Sequence, residues 1–148
     1  MKKVVVKSPL SISVTFLWIG FVCAISFMEA WLKFQAPGIT IPLGLGIGRL
    51  VFSALNKVEI VLAISLIISS IADKQIKTKA FAVLGITVFI LLLQTAWLLP
   101  ALDARAELFI QNTPPPSSYL HLTYIILEFI KVTLLFIYGI KQFNFKTH

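Results

Sequence analysis

The chain has 148 residues, of which 58% are hydrophobic and 13% are charged, and its mean hydropathy is +0.94. A soluble domain carries charge on about one quarter of its residues, so this composition excludes an ordinary cytosolic enzyme, a secreted mini-protein and a disordered tail. Low charge combined with apolar runs near twenty residues predicts an all-α integral membrane protein.

Basic residues outnumber acidic residues in this chain. There are 13 basic and 6 acidic residues, for a formal charge of +7. A basic excess can indicate nucleic-acid binding, but here the lysines lie at the edges of the apolar runs and do not interleave with aromatic residues on a soluble face. The expected partner is therefore the lipid bilayer and not a nucleic acid. The single cysteine, Cys23, excludes an internal disulfide and a CxxC redox pair.

The apolar runs predict a four-helix transmembrane bundle. The first helix follows the basic segment Met1–Lys7 and is interpreted as retained, because no small-x-small cleavage site follows it. Glycines and prolines at 36–48 predict a loop or re-entrant turn. Pro100 is predicted to end the third helix, and a polar loop, Asp103–Ser118, follows. One domain covers residues 1–148, with helices at about residues 10–34, 49–71, 80–99 and 119–140.

The positions of the basic residues predict the orientation in the membrane. Short cytoplasmic loops carry an excess of lysine and arginine. With a cytoplasmic N-terminus, eight lysines fall inside and four basic residues fall outside, which predicts that both termini are cytoplasmic. A multi-pass protein of the inner membrane is expected. The inner set is Lys2, Lys3, Lys7, Lys74, Lys77, Lys79, Lys141 and Lys146, including the basic turn Asp73–Lys79, and the outer set is Lys33, Arg49, Lys57 and Arg105.

Three of the six acids, Glu29, Glu59 and Glu128, lie within or at the margins of apolar helices. A charge at the bilayer centre costs about 2.5–3.5 kcal/mol, so such residues face the bundle interior or water. Glu128 lies roughly 13 Å along its helix, near mid-bilayer. Lys131 can pair with Glu128 at i,i+3. Either this ion pair only locks the packing of the helices, or the Glu128 carboxylate binds a cation, a proton or a ligand amine. An arc of about 100° on this helix holds His121, Tyr124, Glu128, Lys131 and Tyr138.

Polar stripes on the other helices are expected to turn inward as well. They contain Ser11, Thr15, Trp18, Ser26, Glu29 and Lys33 on the first helix, Arg49, Ser53, Asn56 and Glu59 on the second, and Thr87 and Gln94 on the third. Together the stripes predict a polar crevice open to the outer side, lined by Glu29, Glu59, Gln94, His121 and Glu128. The candidate ligand-binding residues are these five together with Lys131 and Tyr124.

The sequence predicts no metal site and assigns no catalytic residue or cofactor. His121 and Glu128 have acceptable ligand chemistry for a metal, but neither a Glu-x-x-His pair nor an HExxH motif is present. Trp31 and Trp97 lie near the outer boundary, where tryptophans anchor helices in the membrane interface.

Short motifs resemble the small four-helix family of transmembrane-protein-205-like proteins, over about residues 12–139. These motifs are Phe34–Pro37, the glycine-rich entry to the second helix, Trp97–Pro100 with Asp103 and Arg105 beyond it, and His121. The resemblance implies the four-helix architecture, and the family has no established enzymatic activity to carry over to this chain. Glu128 and Lys131 depart from the family pattern, in which a neutral polar residue is expected on the fourth helix.

The predicted function is binding or transport of a small cationic or amphipathic ligand, with Glu128 as the central acceptor. Two other functions are compatible with the same residues. One is a small membrane enzyme acting on a lipid or quinone-like substrate with His121 or Glu128 as the acid–base group. The other is a structural or assembly subunit in which the ion pairs only specify packing. Because four short helices barely enclose a pore, transport favours a homo-oligomer.

Overall fold

The structure, a computed structural model, describes residues 3–6, 8–72, 78–113 and 115–146. Its core is helical, as predicted, and holds four helical segments long and apolar enough to cross a membrane. These four spans are Pro9–Gln35, Ile41–Ala72, Ala80–Ile110 and Leu120–Ile140. The first and fourth spans therefore agree closely with the predicted helices.

The spans are built from α-helices with two π-helical interruptions. The α-helices are α1 (Pro9–Val22), α2 (Ala30–Leu32), α3 (Ile41–Ala72), α4 (Thr78–Leu93), α5 (Leu99–Ile110) and α6 (Leu120–Ile140). The first π segment is Cys23–Glu29 and the second is Gln94–Leu98, and a 3-10 turn, Lys33–Gln35, closes the first span. Segments of π-helix are rare and often mark functional sites.

The helices form a ring in which consecutive spans are neighbours. Helix α1 packs against α3 and α6, α4 packs against α6, and α3 packs against α5. The first span therefore contacts the second and the fourth, and the third span closes the ring. Each span turns apolar side chains outward, including the predicted anchors Trp31 (54% exposed) and Trp97 (53% exposed).

Both ends of the described chain lie at one end of the bundle, which we call the terminal end. Strand β1 (Lys3–Val6) pairs antiparallel with β2 (Phe143–Lys146). The Ser69 hydroxyl lies 2.6 Å from that of Ser11, so α1 begins where α3 ends. Of the basic turn predicted at Asp73–Lys79, residues 73–77 lie outside the described residues.

The second helix begins at Ile41, so the predicted loop at 36–48 is wrong from residue 41 onward. Its glycines serve close packing and do not break the helix. A Cβ on Gly44 would overlap the Phe34 ring, and one on Gly48 would lie 3.4 Å from Lys33 Nζ. Glycine here lets the end of the first span approach the helix backbone.

The third span does not end at Pro100, and the predicted loop at Asp103–Ser118 is wrong as far as Ile110. The π segment ends with Leu99 N–H donating to the Gln94 carbonyl. Pro100 then lies in the first turn of α5, where a missing N–H removes no hydrogen bond within that α-helix. The helix stops at Ile110, and Asn112 adopts a left-handed conformation with φ of 57°.

Candidate functional site

A group of polar side chains fills the centre of the bundle, and every span contributes to it. We call it the central cluster. Its members are Trp18 from the first span, Glu59 from the second, Gln94 from the third, and Glu128 and Lys131 from the fourth. All five side chains are at most 1% exposed.

Lys131 is the hub of the central cluster. Its Nζ lies 2.5 Å from Glu59 Oε1 and 3.0 Å from Glu128 Oε1. The same Nζ donates to Gln94 Oε1 at 2.7 Å. An ammonium has three N–H donors, so all three have an acceptor.

The remaining bonds of the cluster bind the carboxylates to neutral donors. Trp18 Nε1 donates to Glu59 Oε1 at 2.8 Å, and Gln94 Nε2 donates to Glu128 Oε1 at 3.0 Å. Both neutral residues thus orient a buried acid. With both glutamates ionised, two carboxylates face one ammonium, and the cluster carries one excess negative charge.

One oxygen of Glu128 is not used in this network. Neither Glu128 Oε2 nor Ser26 Oγ makes a hydrogen bond of normal geometry to the described residues, although both are buried. The Tyr124 hydroxyl interacts with both of these side chains. Two buried oxygens, Glu128 Oε2 and Ser26 Oγ, thus remain without such a bond, and the first π segment supplies one of them through Ser26.

A cavity of about 560 Å³ lies in the half of the bundle away from the terminal end. Its walls come from all four spans and are largely apolar, with polar groups between. The polar and charged lining residues are Lys33, Arg49, Ser53, Asn56, Thr95, Asp103, His121 and Tyr124. A cavity of this size, apolar with a few converging polar groups, is typical of a small-molecule site.

The charged residues around the cavity are held in ion pairs. Arg49 bridges Asp103 and Glu107, which ties α3 to α5. Lys33 pairs at 3.3 Å with Glu29, four residues earlier on the same span. The Lys33 ammonium also lies 5.3 Å and 5.6 Å from the centres of the Phe34 and Phe52 rings.

Tyr124 connects the cavity with the central cluster. It lines the cavity, its ring packs edge-to-face on Phe52 at 5.4 Å, and its hydroxyl interacts with Glu128. Nearby, Asn56 Nδ2 donates to Thr95 Oγ1 at 2.8 Å across the second and third spans. The deep end of the cavity is thus polar, and Tyr124 belongs both to its wall and to the surroundings of Glu128.

The structure divides the predicted site residues between two places. The central cluster contains Glu59, Gln94, Glu128 and Lys131. Of the five residues predicted to line one crevice, only His121 lines the cavity. Glu29 lies in the ion pair with Lys33, and Tyr124 joins the two regions. The crevice prediction placed the buried acids against solvent, whereas their partners on the other helices enclose them.

The sequence interpretation missed the partners that complete each group. Trp18 was assigned to a polar stripe, but its bond to Glu59 depends on the pairing of the first and second spans. Arg49 was likewise assigned to a polar stripe, but its carboxylate partners lie 54 and 58 residues further along the chain. Helical spacing alone carries no signal for such contacts between spans.

The described residues contain no group of three His, Cys, Asp or Glu side chains that could hold a metal ion. Comparisons with known proteins give no further assignment: no family model, no curated protein and no solved structure matches this chain. The resemblance to the transmembrane-protein-205-like family therefore stays a prediction.

Proposed function

We propose that the protein is a multi-pass protein of the inner membrane that binds a small cationic, amphipathic ligand in the cavity and carries it across the bilayer. The proposal rests on one observation: an apolar cavity whose deep end adjoins buried carboxylates in excess over their counter-charge. Both termini are cytoplasmic in this proposal, so the cavity opens toward the outer side.

The charges around the cavity favour a cation. Lys33, Arg49 and Asp103 line the cavity, and Glu29 and Glu107 pair with these two bases from outside the lining. This group of ion pairs carries one negative charge in excess when its three carboxylates are ionised. The central cluster adds a second when both of its glutamates are ionised. Lys57 and Arg105 do not line the cavity and lie outside these ion pairs, and Arg105 donates to the Pro116 carbonyl at 2.6 Å.

The apolar part of the lining favours a ligand with a hydrophobic body. Phe34, Leu45, Phe52, Leu99 and Ala106 provide most of that wall. An amphipathic cation would place its apolar groups against these residues and its charge toward Tyr124 and Asn56. Burial of apolar ligand surface contributes about 25 cal/mol per Å² to the free energy of binding. This contribution adds to the attraction between the ligand's charge and the carboxylates.

Binding of tetraphenylphosphonium to the purified protein tests the proposal directly. Ser53 is exposed to the cavity, so Ser53→Trp should fill it and weaken saturable binding more than about tenfold, or 1.4 kcal/mol. Ala54→Trp is the matched control, because Ala54 is exposed on the same helix but does not line the cavity. Equal binding by both variants, or saturable binding of an anionic amphiphile in place of the cation, would contradict the proposal.

Reconstitution into liposomes separates a carrier from the two other functions. Accumulation of tetraphenylphosphonium against its gradient when a proton gradient is imposed supports transport, and native mass spectrometry reports the number of subunits. His121 and Tyr124 share the cavity wall, which favours acid–base chemistry on a lipid or quinone-like substrate as the second candidate. That enzyme would show turnover of its substrate without net flux. Retention of full function by the charge-swapped Glu128→Lys, Lys131→Glu variant would instead indicate a structural subunit.

A further inference from the structure

With Glu59 and Glu128 both ionised, the central cluster is one positive charge short of neutrality. Glu59 and Glu128 face Lys131, and all three side chains are removed from solvent. A net charge in such surroundings costs several kcal/mol unless another group compensates it. The other polar partners, Trp18 and Gln94, are neutral and compensate nothing. The cluster is therefore built to hold one more positive charge.

The geometry indicates where that charge binds. Glu59 Oε1 and Glu128 Oε1 already accept hydrogen bonds from Lys131. Glu128 Oε2 is buried without a hydrogen bond to the described residues, and so is Ser26 Oγ. The hydroxyl of Tyr124 interacts with both side chains and its ring lines the cavity. A positive charge arriving from the cavity thus reaches Glu128 Oε2 by way of Tyr124.

We propose that Glu128 Oε2 is a binding site for a single proton, exchanged with water in the cavity through the hydroxyl of Tyr124. In the transfer, the tyrosine O–H bond breaks as a new O–H bond forms at Glu128 Oε2. The tyrosine oxygen takes a replacement proton from a hydronium ion in the cavity. Protonated Glu128 leaves Glu59 and Lys131 as a balanced pair.

The groups that face Glu128 are consistent with a proton in preference to a metal cation. Lys131 and Tyr124 face it from its own helix, Glu59 from the second span, and Cys23 is electrostatically coupled to it from the first span. The third span contributes only the neutral Gln94. Sodium requires several more oxygen ligands, whereas a proton requires one acceptor and one donor. The inference deepens the proposed function, since protonation at Glu128 neutralises the charge that favours a cationic ligand.

Infrared difference spectroscopy of the protein without any ligand tests the inference. We expect a pH-dependent carboxylic-acid band that shifts in D₂O, is absent in Glu128→Gln and moves in frequency in Glu128→Asp. Glu128→Gln should fold, because it leaves Glu59 and Lys131 paired. Glu29→Gln is the matched control and should keep the band, since Glu29 is 25% exposed and paired only with Lys33.

A second variant tests the route. Tyr124→Phe keeps the ring and removes the hydroxyl, so the band should remain while hydrogen–deuterium exchange of the acid slows about a hundredfold, the lower range of acid–base contributions. Loss of the band in Glu59→Gln with retention in Glu128→Gln would overturn the proposal. So would disappearance of the band on addition of sodium. Normal tetraphenylphosphonium binding by the unaltered protein, together with the absence of such a band from its spectrum, would overturn this inference and leave the proposed function standing.

Discussion

Lys131 stabilises two acids that would otherwise be buried without a counter-charge. Moving a carboxylate out of water costs several kcal/mol, and only close partners offset that cost. The three N–H bonds of Lys131 reach Glu59, Glu128 and Gln94, one on each of three spans. The ammonium therefore holds three spans together and at the same time offsets the burial of the two carboxylates.

Lys131→Met should destabilise the fold more than any single change of an acid in the central cluster. Methionine fills similar volume but leaves Glu59 and Glu128 facing each other, and removing one partner of a buried ion pair costs about 3–5 kcal/mol. The free energy of unfolding, measured by denaturant titration in mixed micelles, reports the loss.

The charge itself can be separated from the shape of the side chain. The triple variant Glu59→Gln, Glu128→Gln, Lys131→Met contains no charge in the cluster and should recover most of the lost stability. Lys57→Met, on an exposed position of the second span, is the control and should change little. A triple variant as unstable as Lys131→Met would show that packing, and not charge, determines the effect.

Helical spacing predicted one pair of the five residues in this cluster, Glu128 and Lys131. The i,i+3 relation of Glu128 and Lys131 and the shared arc with Tyr124 and Tyr138 follow from 100° per residue, and all four side chains are buried. The bond between Lys131 and Glu59 could not be predicted, because these residues are on spans that face each other across the ring. Their meeting depends on the order of the helices around the bundle, which composition and periodicity do not encode.

At the scale of the helix, the beginning of α3 depends on a close contact between two spans. Gly44 lies against the ring of Phe34, which closes the first span. Gly48, one turn later, continues the same small-residue face toward Lys33, which allows the helices to approach closely. The glycines thus determine how near the first span comes to the wall of the cavity.

Gly44→Ala should therefore destabilise the bundle by about 1–3 kcal/mol, the usual cost of overpacking. The added methyl group overlaps the Phe34 ring, and either the ring or the helix has to move. Thermal melts in detergent measure the effect. Gly85→Ala is the control, because nothing lies within 4 Å of a Cβ at that position.

A second substitution identifies the clash as the cause. Phe34→Ala in the Gly44→Ala background removes the ring and should restore most of the melting temperature. If the double variant melts below both single variants, another contact of Gly44 is responsible.

Local rules failed where neighbouring spans override them. Gly44 and Pro100 are breakers in an isolated segment, and the sequence interpretation therefore placed loops at both sites. In the fold, the Phe34 ring lies so close to Gly44 that only a residue without a Cβ fits inside the helix there. The π segment ends just before Pro100, so the proline lies in the first turn of α5, where it removes no hydrogen bond within that helix. Neither compensation is visible in the segment's own composition.

At the scale of the molecule, the two ends of the bundle differ in charge. Five of the six acids belong to the central cluster or to ion pairs around the cavity. The termini and the segment 73–79 hold eight of the 13 basic residues and the sixth acid, Asp73. Positive charge near the ends of spans is retained in the cytoplasm, so the terminal end is expected to face inward.

Labelling of single cysteines in intact cells tests this orientation. In a Cys23→Ser background, Ser117→Cys lies in the exposed loop before α6 and should react with a membrane-impermeant maleimide. Lys141→Cys, also exposed but at the terminal end, should react only after the cells are opened. The reverse pattern would show that the cavity faces the cytoplasm.

The short ribbon of β1 and β2 closes the chain into a ring, because it links the helices that come first and last in sequence. Each span is then linked to both of its neighbours in the ring, three times by the covalent chain and once by the paired backbone of β1 and β2. In a circularly permuted gene, a short linker would join residue 146 to residue 3, and the new ends would lie between α5 and α6. Such a gene would encode helices that pack against the same neighbours but follow one another in a new order. The architecture is in this sense circular, and the order of its helices along the chain is one of several that would give the same neighbours.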